Sequence, residues 1–299
     1  MTRPLAIVAH QLHAGDVILA LAIVLFLSGA VSAVYVTLSR RQVASLLRRY
    51  AWVSWQLGLM LMMEQGYELV RGHIQPKTDV AIINAYRIID FEWRHGFFIE
   101  SRLERNLLQY RELMTGIDLF YILSHAFVTI GVIAAICIWR RQHYTFVRNM
   151  FLITTAIALA VFYLYPTAPP RMLSNYGFVD PLVWSHLAQA GGAQPGSYTY
   201  NPYAAMPSLH VGYALIVAWG AFAAWRHWLV RVAALAYPAA MAAAVVISAN
   251  HFLLDVAGAV VTVLAARGVL WLVAHAGVAA QPIMAAVRIL EVYPTAAEP

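Results

Sequence analysis

Residues 229–275 read LVRVAALAYPAAMAAAVVISANHFLLDVAGAVVTVLAARGVLWLVAH. The segment holds two apolar runs, 229–249 and 252–275, which are separated by Asn250 and His251. Each run is close to the roughly 20 residues that a helix needs to cross the hydrocarbon core of a bilayer. The segment therefore predicts two transmembrane helices with polar residues at the turn between them.

Five further apolar runs lie upstream of this segment, over 17–38, 49–71, 117–139, 147–165 and 207–225. The 299-residue chain is 62% hydrophobic and 11% charged, whereas soluble domains average about 45–50% and 25%. These values exclude a soluble domain and a disordered chain. The only cysteine, Cys137, rules out an intrachain disulfide framework. We predict an all-α fold, a polytopic transmembrane helix bundle of about seven spans embedded in the lipid bilayer.

Many of the positive charges lie in the connections between the predicted spans. Three short connections carry arginines and no acidic residue: Arg40, Arg41, Arg48, Arg49, Arg140, Arg141, Arg148, Arg226 and Arg231. Short arginine-rich loops remain in the cytoplasm, which places the long connections 72–116 and 166–206 outside. The prediction is a multi-pass plasma-membrane protein with an external N-terminus and a cytoplasmic C-terminus. This placement also accounts for the net charge of +6 without a nucleic-acid partner.

Four parts of the chain follow from this topology. Residues 1–71 form two N-terminal transmembrane helices, 72–116 external interfacial helices, 117–275 a catalytic transmembrane core with the external loop 166–206, and 276–299 a cytoplasmic tail. Within the external segment, Ser101 and Glu104 have the spacing of a capping box. The stripe Leu103, Leu107, Tyr110 and Met114 predicts an amphipathic helix that faces lipid or the bundle, or that forms a lid.

His251 and Asp255 lie four residues apart, so on a helix they share one face. A carboxylate that accepts a hydrogen bond from one imidazole nitrogen fixes the tautomer and leaves the other nitrogen as a nucleophile or base. Charged side chains inside spans are costly and mark functional sites more often than not. The alternative is a structural pair whose hydrogen bonds are satisfied.

Two more polar segments lie at the predicted outer ends of helices. In Pro207-Ser208-Leu209-His210, proline suits a first helical turn, and a helix N-terminus favours an anion such as phosphate. Arg171 follows the proline-rich exit of the fourth span and is suited to phosphate oxygens; the alternative is contact with lipid headgroups. We expect His125, Asn250 and Tyr165 to line the same cavity. An interhelical hydrogen bond is an equal alternative for His125, and Glu64 and Glu68 are expected to pair with a base such as Arg71.

Together these residues predict metal-independent phosphoryl transfer through a phosphohistidine, without a cofactor. His251, held by Asp255, attacks phosphorus, and His210 protonates the leaving oxygen and then deprotonates the incoming water or alcohol. Arg171, Ser208 and backbone amides hold the remaining phosphate oxygens.

The segments Pro207-Ser208-Leu209-His210 and His251-Phe252-Leu253-Leu254-Asp255 resemble the second and third motifs, P-S-G-H and H-x3-D, of the type 2 phosphatidic acid phosphatase superfamily. The resemblance covers about residues 90–275. It implies that His251 is the nucleophile and His210 the acid.

The sequence departs from this pattern at several positions. The first motif, K-x6-R-P, lacks its lysine and proline, since Leu164 and Met172 stand there, and Ala244-Val245 replaces a Ser-Arg pair. Leu209 and the proline-rich exit make the chain more similar to the inositol phosphorylceramide synthase branch. We therefore expect a base of segment 72–116, such as Arg94 or Arg102, to complete the phosphate site.

Other functions remain open from the sequence. An anionic-lipid transporter or flippase would use buried charges as a path, and a haem protein would use His125, His210 and His251 as axial ligands. Within the enzyme class, hydrolysis and transfer share the first half-reaction, with transfer slightly favoured by the resemblance. Candidate substrates are a phosphatidic acid, a polyprenyl (pyro)phosphate or a phosphoinositol lipid, with an alcohol or inositol as candidate acceptor.

Overall fold

The computed structural model describes residues 14–38, 45–74, 78–180, 184 and 201–276. The predicted tail, apart from Ala276, and most of the segment 181–200 lie outside these residues. The helices are α1 (Ala14–Leu38), α2 (Ser45–His73), α3 (Thr78–Arg94), α4 (Glu100–Leu108), α5 (Arg111–Trp139), α6 (Arg141–Leu164), α7 (Leu209–Ala224), α8 (Trp228–Ile247) and α9 (Leu253–His275). Across the described ranges no strand forms, apart from one isolated bridge between Thr167 and Ala204. The all-α fold class is confirmed.

A helix stands at each of the seven predicted spans. Five of them, α1, α5, α6, α8 and α9, are long and apolar enough to cross a membrane. Helix α7 is apolar but shorter, at 16 residues, and α2 carries Glu64, Glu68 and Arg71 in its second half. Several helices begin outside the apolar run, as α6 does at Arg141 rather than at 147, because backbone hydrogen bonds and not side-chain polarity decide where a helix starts.

Helices α1 and α2 form a closely packed pair. A Cβ atom added at Gly29 would lie 2.5 Å from the backbone nitrogen of Trp55, and one added at Gly58 would lie 2.5 Å from that of Phe26. Only glycine allows two helix backbones to approach this closely, as at small-residue interfaces between membrane helices. The pair packs on the rest of the bundle through α2, whose Trp52 joins the core formed with α6 and α7.

The ends of the helices that carry the basic connections lie together at one end of the bundle. Arg49 Nη2 donates to Ile138 O at 2.6 Å, and Arg140 Nε donates to Ala224 O at 3.0 Å. These contacts join the start of α2, the end of α5 and the end of α7. The opposite end of the bundle therefore contains the end of α6, the start of α7 and the turn between α8 and α9.

Helices α3 and α4 cover that opposite end. The apolar face of α3 packs against the segment that follows α6 and against Phe252, in a cluster with these members: Ala81, Ala85, Ile88, Ile89, Ala168, Leu173, Phe178, Ala249 and Phe252. Asn84 Nδ2 also donates to Pro166 O at 2.9 Å. The apolar side of α3 therefore faces the bundle.

Two details predicted for the external segment are wrong. Ser101 and Glu104 do not form a capping box, because the N-cap residue of α4 is Ile99, two residues earlier than Ser101, and both side chains bond elsewhere. Ser101 Oγ donates to Tyr176 O, and Glu104 accepts from Val179 N. The predicted stripe does not lie on one helix either, because α4 ends at Leu108 and α5 begins at Arg111. Tyr110 stands between them in a non-helical conformation.

Candidate active site

Three segments meet at the covered end of the bundle: the exit of α6 (165–176), the segment before α7 (201–208) and the turn between α8 and α9 (248–252). Backbone hydrogen bonds join the first segment to the other two, from Thr167 N to Tyr203 O at 2.8 Å and from Arg171 N to Ala249 O at 2.9 Å. Ser208 N also donates to Asp255 O, in the first turn of α9, at 3.1 Å. Main-chain bonds of this kind fix the relative positions of the side chains that the segments carry.

The turn that carries His251 is tight. The backbone amides of Asn250 and His251 both donate to Val245 O at 3.0 Å, and Ala249 adopts a positive φ of 49°. This geometry ends α8 and reverses the chain before α9 begins at Leu253. His251 therefore precedes the helix and is presented from the turn.

His251 and Asp255 are paired, although not across one helical face. His251 Nδ1 lies 3.3 Å from Asp255 Oδ2, which also accepts from Phe252 N at 2.9 Å. Asp255 is fully buried and His251 is 5% exposed. Because Nδ1 faces the carboxylate, Nε2 is the nitrogen left for chemistry.

His210 lies next to His251. The ring centroids are 5.8 Å apart, although His210 lies on α7 and His251 in the turn before α9. Helix α7 begins at Leu209 with Ser208 as its N-cap residue, two residues later than predicted, so Pro207 precedes the cap and His210 lies in the first turn. Ser208 is fully buried, and among the described residues its Oγ has no hydrogen-bond partner.

A polar cavity of about 100 Å³ opens beside the two histidines. His210, His251, Asn250 and Arg171 line it. Arg171 Nη1 donates to Asn250 Oδ1, and Arg171 Nε lies 3.6 Å from Asp180 Oδ2. The structure thus brings the predicted nucleophile, acid and arginine to one cavity.

The other predicted site residues lie behind the cavity wall. The His125 ring packs on that of His210 at 4.2 Å between centroids, so His210 stands between His125 and the cavity. Tyr165 packs beside the α3 cluster. Ser208 and Asp255 are buried beneath the lining residues.

Arg71 is a lining residue that the sequence reasoning did not assign to the site. It reaches the cavity from the end of α2, with Nη1 3.3 Å from the Tyr67 hydroxyl and Nη2 3.3 Å from Glu68 Oε2. The pairing with Glu68 agrees with the prediction. Arg94 and Arg102 do not line the cavity: Arg94 pairs with Asp90 on an exposed surface, and Arg102 is also exposed. The sequence feature that could have identified Arg71 is its position at the outer end of the predicted span 49–71.

Two buried carboxylates of the external segment bind the first turn of α9. Glu100 Oε1 accepts from Leu253 N at 2.8 Å, and Glu92 Oε1 accepts from Leu254 N at 2.8 Å. Burial, followed by the nearby charge of Glu100, raises the pKa of Glu92 to about 9. Burial also raises the pKa of Glu104 to about 8. Nothing in the local sequence indicates that these acids are buried.

Within the described part of the chain, no three His, Cys, Asp or Glu side chains are grouped as metal ligands. The cavity volume is also below the roughly 300–1,000 Å³ of sites for drug-sized ligands, and a haem is at least as large. The arrangement instead offers two imidazoles, two guanidinium groups and a helix N-terminus around a space of phosphate size.

Comparison with known proteins agrees with this chemistry. The family model of the PAP2 superfamily matches residues 86–269. Phosphoinositol dihydroceramide synthase of Bacteroides thetaiotaomicron is 26% identical over 153 residues, which are 46% of this chain and 49% of that protein. The chain thus matches about half the length of this relative, and no solved structure matches. Because the family model covers more than half of the chain and all three segments of the site, this multi-pass membrane protein belongs to the PAP2 superfamily.

Proposed function

We propose that the protein is a lipid phosphotransferase that works through a phosphohistidine on His251. The observation that carries the proposal is the pair of histidine rings, 5.8 Å apart between centroids, beside a cavity that Arg71 and Arg171 also line. Phosphoryl transfer needs a nucleophile, an acid and cations within contact distance of one phosphate, and this cavity provides all of them.

In the first half-reaction, His251 Nε2 attacks phosphorus and forms a P–N bond. The bond between phosphorus and the lipid oxygen breaks, and His210 gives its proton to that oxygen. Asp255 keeps the proton on Nδ1 of His251 and stabilises the positive charge that the ring acquires, which is the role of an orienting carboxylate.

In the second half-reaction, neutral His210 takes the proton of an acceptor hydroxyl. The acceptor oxygen attacks phosphorus, the P–N bond breaks and His251 is restored. When the acceptor is an alcohol, the reaction is a transfer, and when it is water the reaction is hydrolysis. We place transfer first because the similar Bacteroides protein is named as a synthase.

Two arginines hold the charge on the phosphate. Arg171 stands where the family has its arginine, and Arg71 supplies a second guanidinium in place of the lysine position occupied by Leu164. Guanidinium groups bind phosphate oxygens with paired hydrogen bonds, which strengthen as negative charge builds in the transition state. The first amides of α7, with Ser208 beneath them, add the positive end of a helix dipole.

We place the reaction at the extracytoplasmic face of the plasma membrane. The support is the separation of the two ends of the bundle: Arg49 and Arg140 join helix ends away from the cavity. If that arginine-rich end is cytoplasmic, as short basic loops are, the cavity opens on the other side. Cysteine-accessibility labelling at Ser174 and at Arg226 in intact cells would test this orientation, since the external reagent should modify only Ser174→Cys.

The substrate class is a lipid phosphate ester. A cavity of about 100 Å³ holds a phosphate with its ester oxygens but not a whole lipid. The name of the Bacteroides relative joins phosphoinositol to dihydroceramide. A phosphoinositol lipid as donor and a dihydroceramide or another alcohol as acceptor therefore head the panel to be tested.

The experiment is incubation of the purified protein with phosphatidylinositol, phosphatidic acid and a polyprenyl phosphate, each with and without dihydroceramide, inositol or glycerol. Mass spectrometry identifies the products. We expect transfer or phosphate release that persists in EDTA and disappears in His251→Ala. Wild-type protein that converts no lipid phosphate, or activity unchanged by His251→Ala, would exclude the proposal.

The same preparation separates the two other classes. A haem protein shows a visible absorption spectrum, and a flippase moves fluorescent anionic lipid across liposomes without changing it chemically. We expect neither signal.

A further inference from the structure

A second, largely apolar cleft of about 240 Å³ lies between α2 and α6. From α2 it is walled by Met60, Met63 and Val70, and from α6 by Phe151, Leu152 and Leu159. Val70 is 49% and Leu152 is 39% exposed, so the cleft opens on the outer surface of the bundle. In a membrane protein that surface faces hydrocarbon.

The cleft adjoins the candidate active site. Tyr67 lines both the cleft and the phosphate cavity, and its hydroxyl contacts Arg71 Nη1 at 3.3 Å. From Val70 to Met60 the cleft follows ten residues of α2, or about 15 Å of helix. A molecule with its phosphate between Arg71 and Arg171 thus has a continuous path along α2, away from the cavity.

The polarity of the cleft changes along this path. One turn from Tyr67 it is lined by Glu64 and by Thr155 and Tyr213, whose hydroxyl oxygens are 2.7 Å apart. Beyond them the walls are Met60, Phe151 and Leu152. Lipid phosphates have the same order of groups, since ester, amide or hydroxyl groups follow the phosphate and hydrocarbon follows them. Ionisable side chains within a membrane are costly and often mark substrate paths.

We propose that this cleft binds a hydrocarbon chain of the donor lipid while its phosphate occupies the cavity beside His251. Glu64 bonds to the polar groups that join the chain to the phosphate. The proposal rests on the lipid-phosphate substrate class proposed above. It adds a selectivity for chain length, set by α2 and α6 rather than by the residues that touch phosphorus.

Gly66 offers a direct test, because it lines the cleft and a Cβ atom there would meet no atom within 4 Å. Gly66→Phe therefore fills the cleft without a backbone clash. Gly131→Phe is the matched control, since Gly131 is also exposed on a long helix, has the same open space and lies on α5 away from the cleft. Ala156→Phe narrows the cleft from the α6 side.

Kinetics with long-chain and short-chain versions of one donor give the first measurement. We expect Gly66→Phe and Ala156→Phe to raise KM for the long-chain donor about tenfold, in the range typical of hydrophobic pockets, and to leave the short-chain donor within twofold. Gly131→Phe should match the wild type with both donors. Equal effects on both donors, or none on either, would overturn the proposal.

Photo-crosslinking gives a measurement that does not depend on turnover. The probe is phosphatidic acid with a diazirine in mid-chain, and the control is the corresponding diacylglycerol, which lacks the phosphate. We expect the phosphatidic acid probe to label α2 and α6 peptides more than the control does, with that excess lost in Gly66→Phe and kept in Gly131→Phe. Phosphate-dependent labelling without turnover would refute the proposed reaction and support lipid binding in the cleft. Turnover without phosphate-dependent labelling would refute lipid binding in the cleft and leave the proposed reaction intact.

Discussion

Helices α7 and α9 both point their N-termini toward the candidate active site, but the two ends are satisfied in different ways. In α9, carboxylates take up the amides of three consecutive residues: Asp255 accepts from Phe252, Glu100 from Leu253 and Glu92 from Leu254. In α7, no side chain of the described residues caps the helix. Leu209 and His210 of α7 line the cavity instead.

The difference assigns a separate task to each helix end. Orphan amides at a helix N-terminus attract negative charge from any source. The α9 amides already have side-chain acceptors from the protein, so this helix end serves as a fixed support for the turn that presents His251. We propose that the α7 end, which no side chain of the described residues caps, uses its amides and positive dipole end for a charge that arrives with the substrate.

The largest expected effect comes from removing His251, the proposed nucleophile, whose turn the α9 end supports. His251→Ala should lower turnover by at least about 10⁴-fold, as loss of a nucleophile does in other enzymes, and should abolish the acid-labile phosphoenzyme that we expect from an alkaline rapid quench of the wild type. His275→Ala, a histidine at the far end of α9, is the control and should retain wild-type turnover. A phosphoenzyme that persists in His251→Ala would assign the covalent step to another residue.

Replacing His210, the histidine that α7 contributes, tests the proposed acid. A nitrophenyl phosphate ester has a leaving group that needs no acid, so His210→Ala should still release a burst of nitrophenol. Lipid phosphate turnover by this variant should fall by about 10²–10⁴-fold. Equal losses with both substrates would argue against His210 as the acid.

The next effect concerns the carboxylate that serves both the α9 end and the nucleophile. Asp255→Asn should reduce kcat by about 10²–10⁴-fold, because the amide no longer fixes the tautomer of His251. Steady-state kinetics measure the loss, and Asp90→Asn, which alters an exposed ion pair with Arg94, should leave the rate unchanged. A wild-type kcat in Asp255→Asn would show that Asp255 does not orient His251 for catalysis.

Removing a cation that is proposed to bind the substrate phosphate should have a smaller effect. Arg71→Ala should lower kcat/KM by about 10- to 100-fold, the equivalent of one charged hydrogen bond. Arg71→Lys should recover only part of this loss, because an ammonium group lacks the planar fork. Arg94→Ala is the matched control. A loss in Arg94→Ala as large as that in Arg71→Ala would indicate that a base of the external segment also completes the phosphate site.

The smallest expected effect concerns the stability of the α9 N-terminus, where Glu92 accepts from Leu254 N. Glu92 keeps its proton up to about pH 9 in the folded protein, whereas its carboxyl group loses the proton near pH 4.5 when unfolded. The contribution of this group to stability is therefore complete below about pH 4.5 and is lost as the pH rises to 9. We expect the wild-type Tm in detergent to fall by at least roughly 2–4 °C between pH 5 and 9.

Glu92→Gln should make that decrease in Tm shallower, and Glu112→Gln, at an exposed position in α5, should not. Differential scanning fluorimetry across the pH range provides the comparison. Identical pH slopes in the wild type and in Glu92→Gln would contradict the raised pKa.

Prediction from sequence succeeded where the signal was local. The apolar runs 229–249 and 252–275 became α8 and α9 within a few residues, because hydrophobic length reports directly on membrane helices. The pairing of His251 with Asp255 also followed from spacing. Its geometry did not, since α9 begins only at Leu253 and the pair spans a helix start.

The remaining features depend on packing between distant parts of the chain. Arg71 enters the cavity because α2 packs beside α5 and α6, and nothing near residue 71 reveals those neighbours. Glu92 and Glu100 resemble solvent-exposed acids of an amphipathic segment, yet their acceptor oxygens meet amides more than 150 residues later in the chain. Spacing rules describe one element at a time and do not capture such contacts.

The hydrogen bonds from α9 to the external helices make the nucleophile's turn interdependent with residues 78–108. A protein shortened to begin at residue 117 would keep every residue of both histidine motifs. It would also leave Leu253 N and Leu254 N facing a site from which their acceptors had been removed. Transplanting the motifs into another helical bundle would therefore require two carboxylates that neither motif contains.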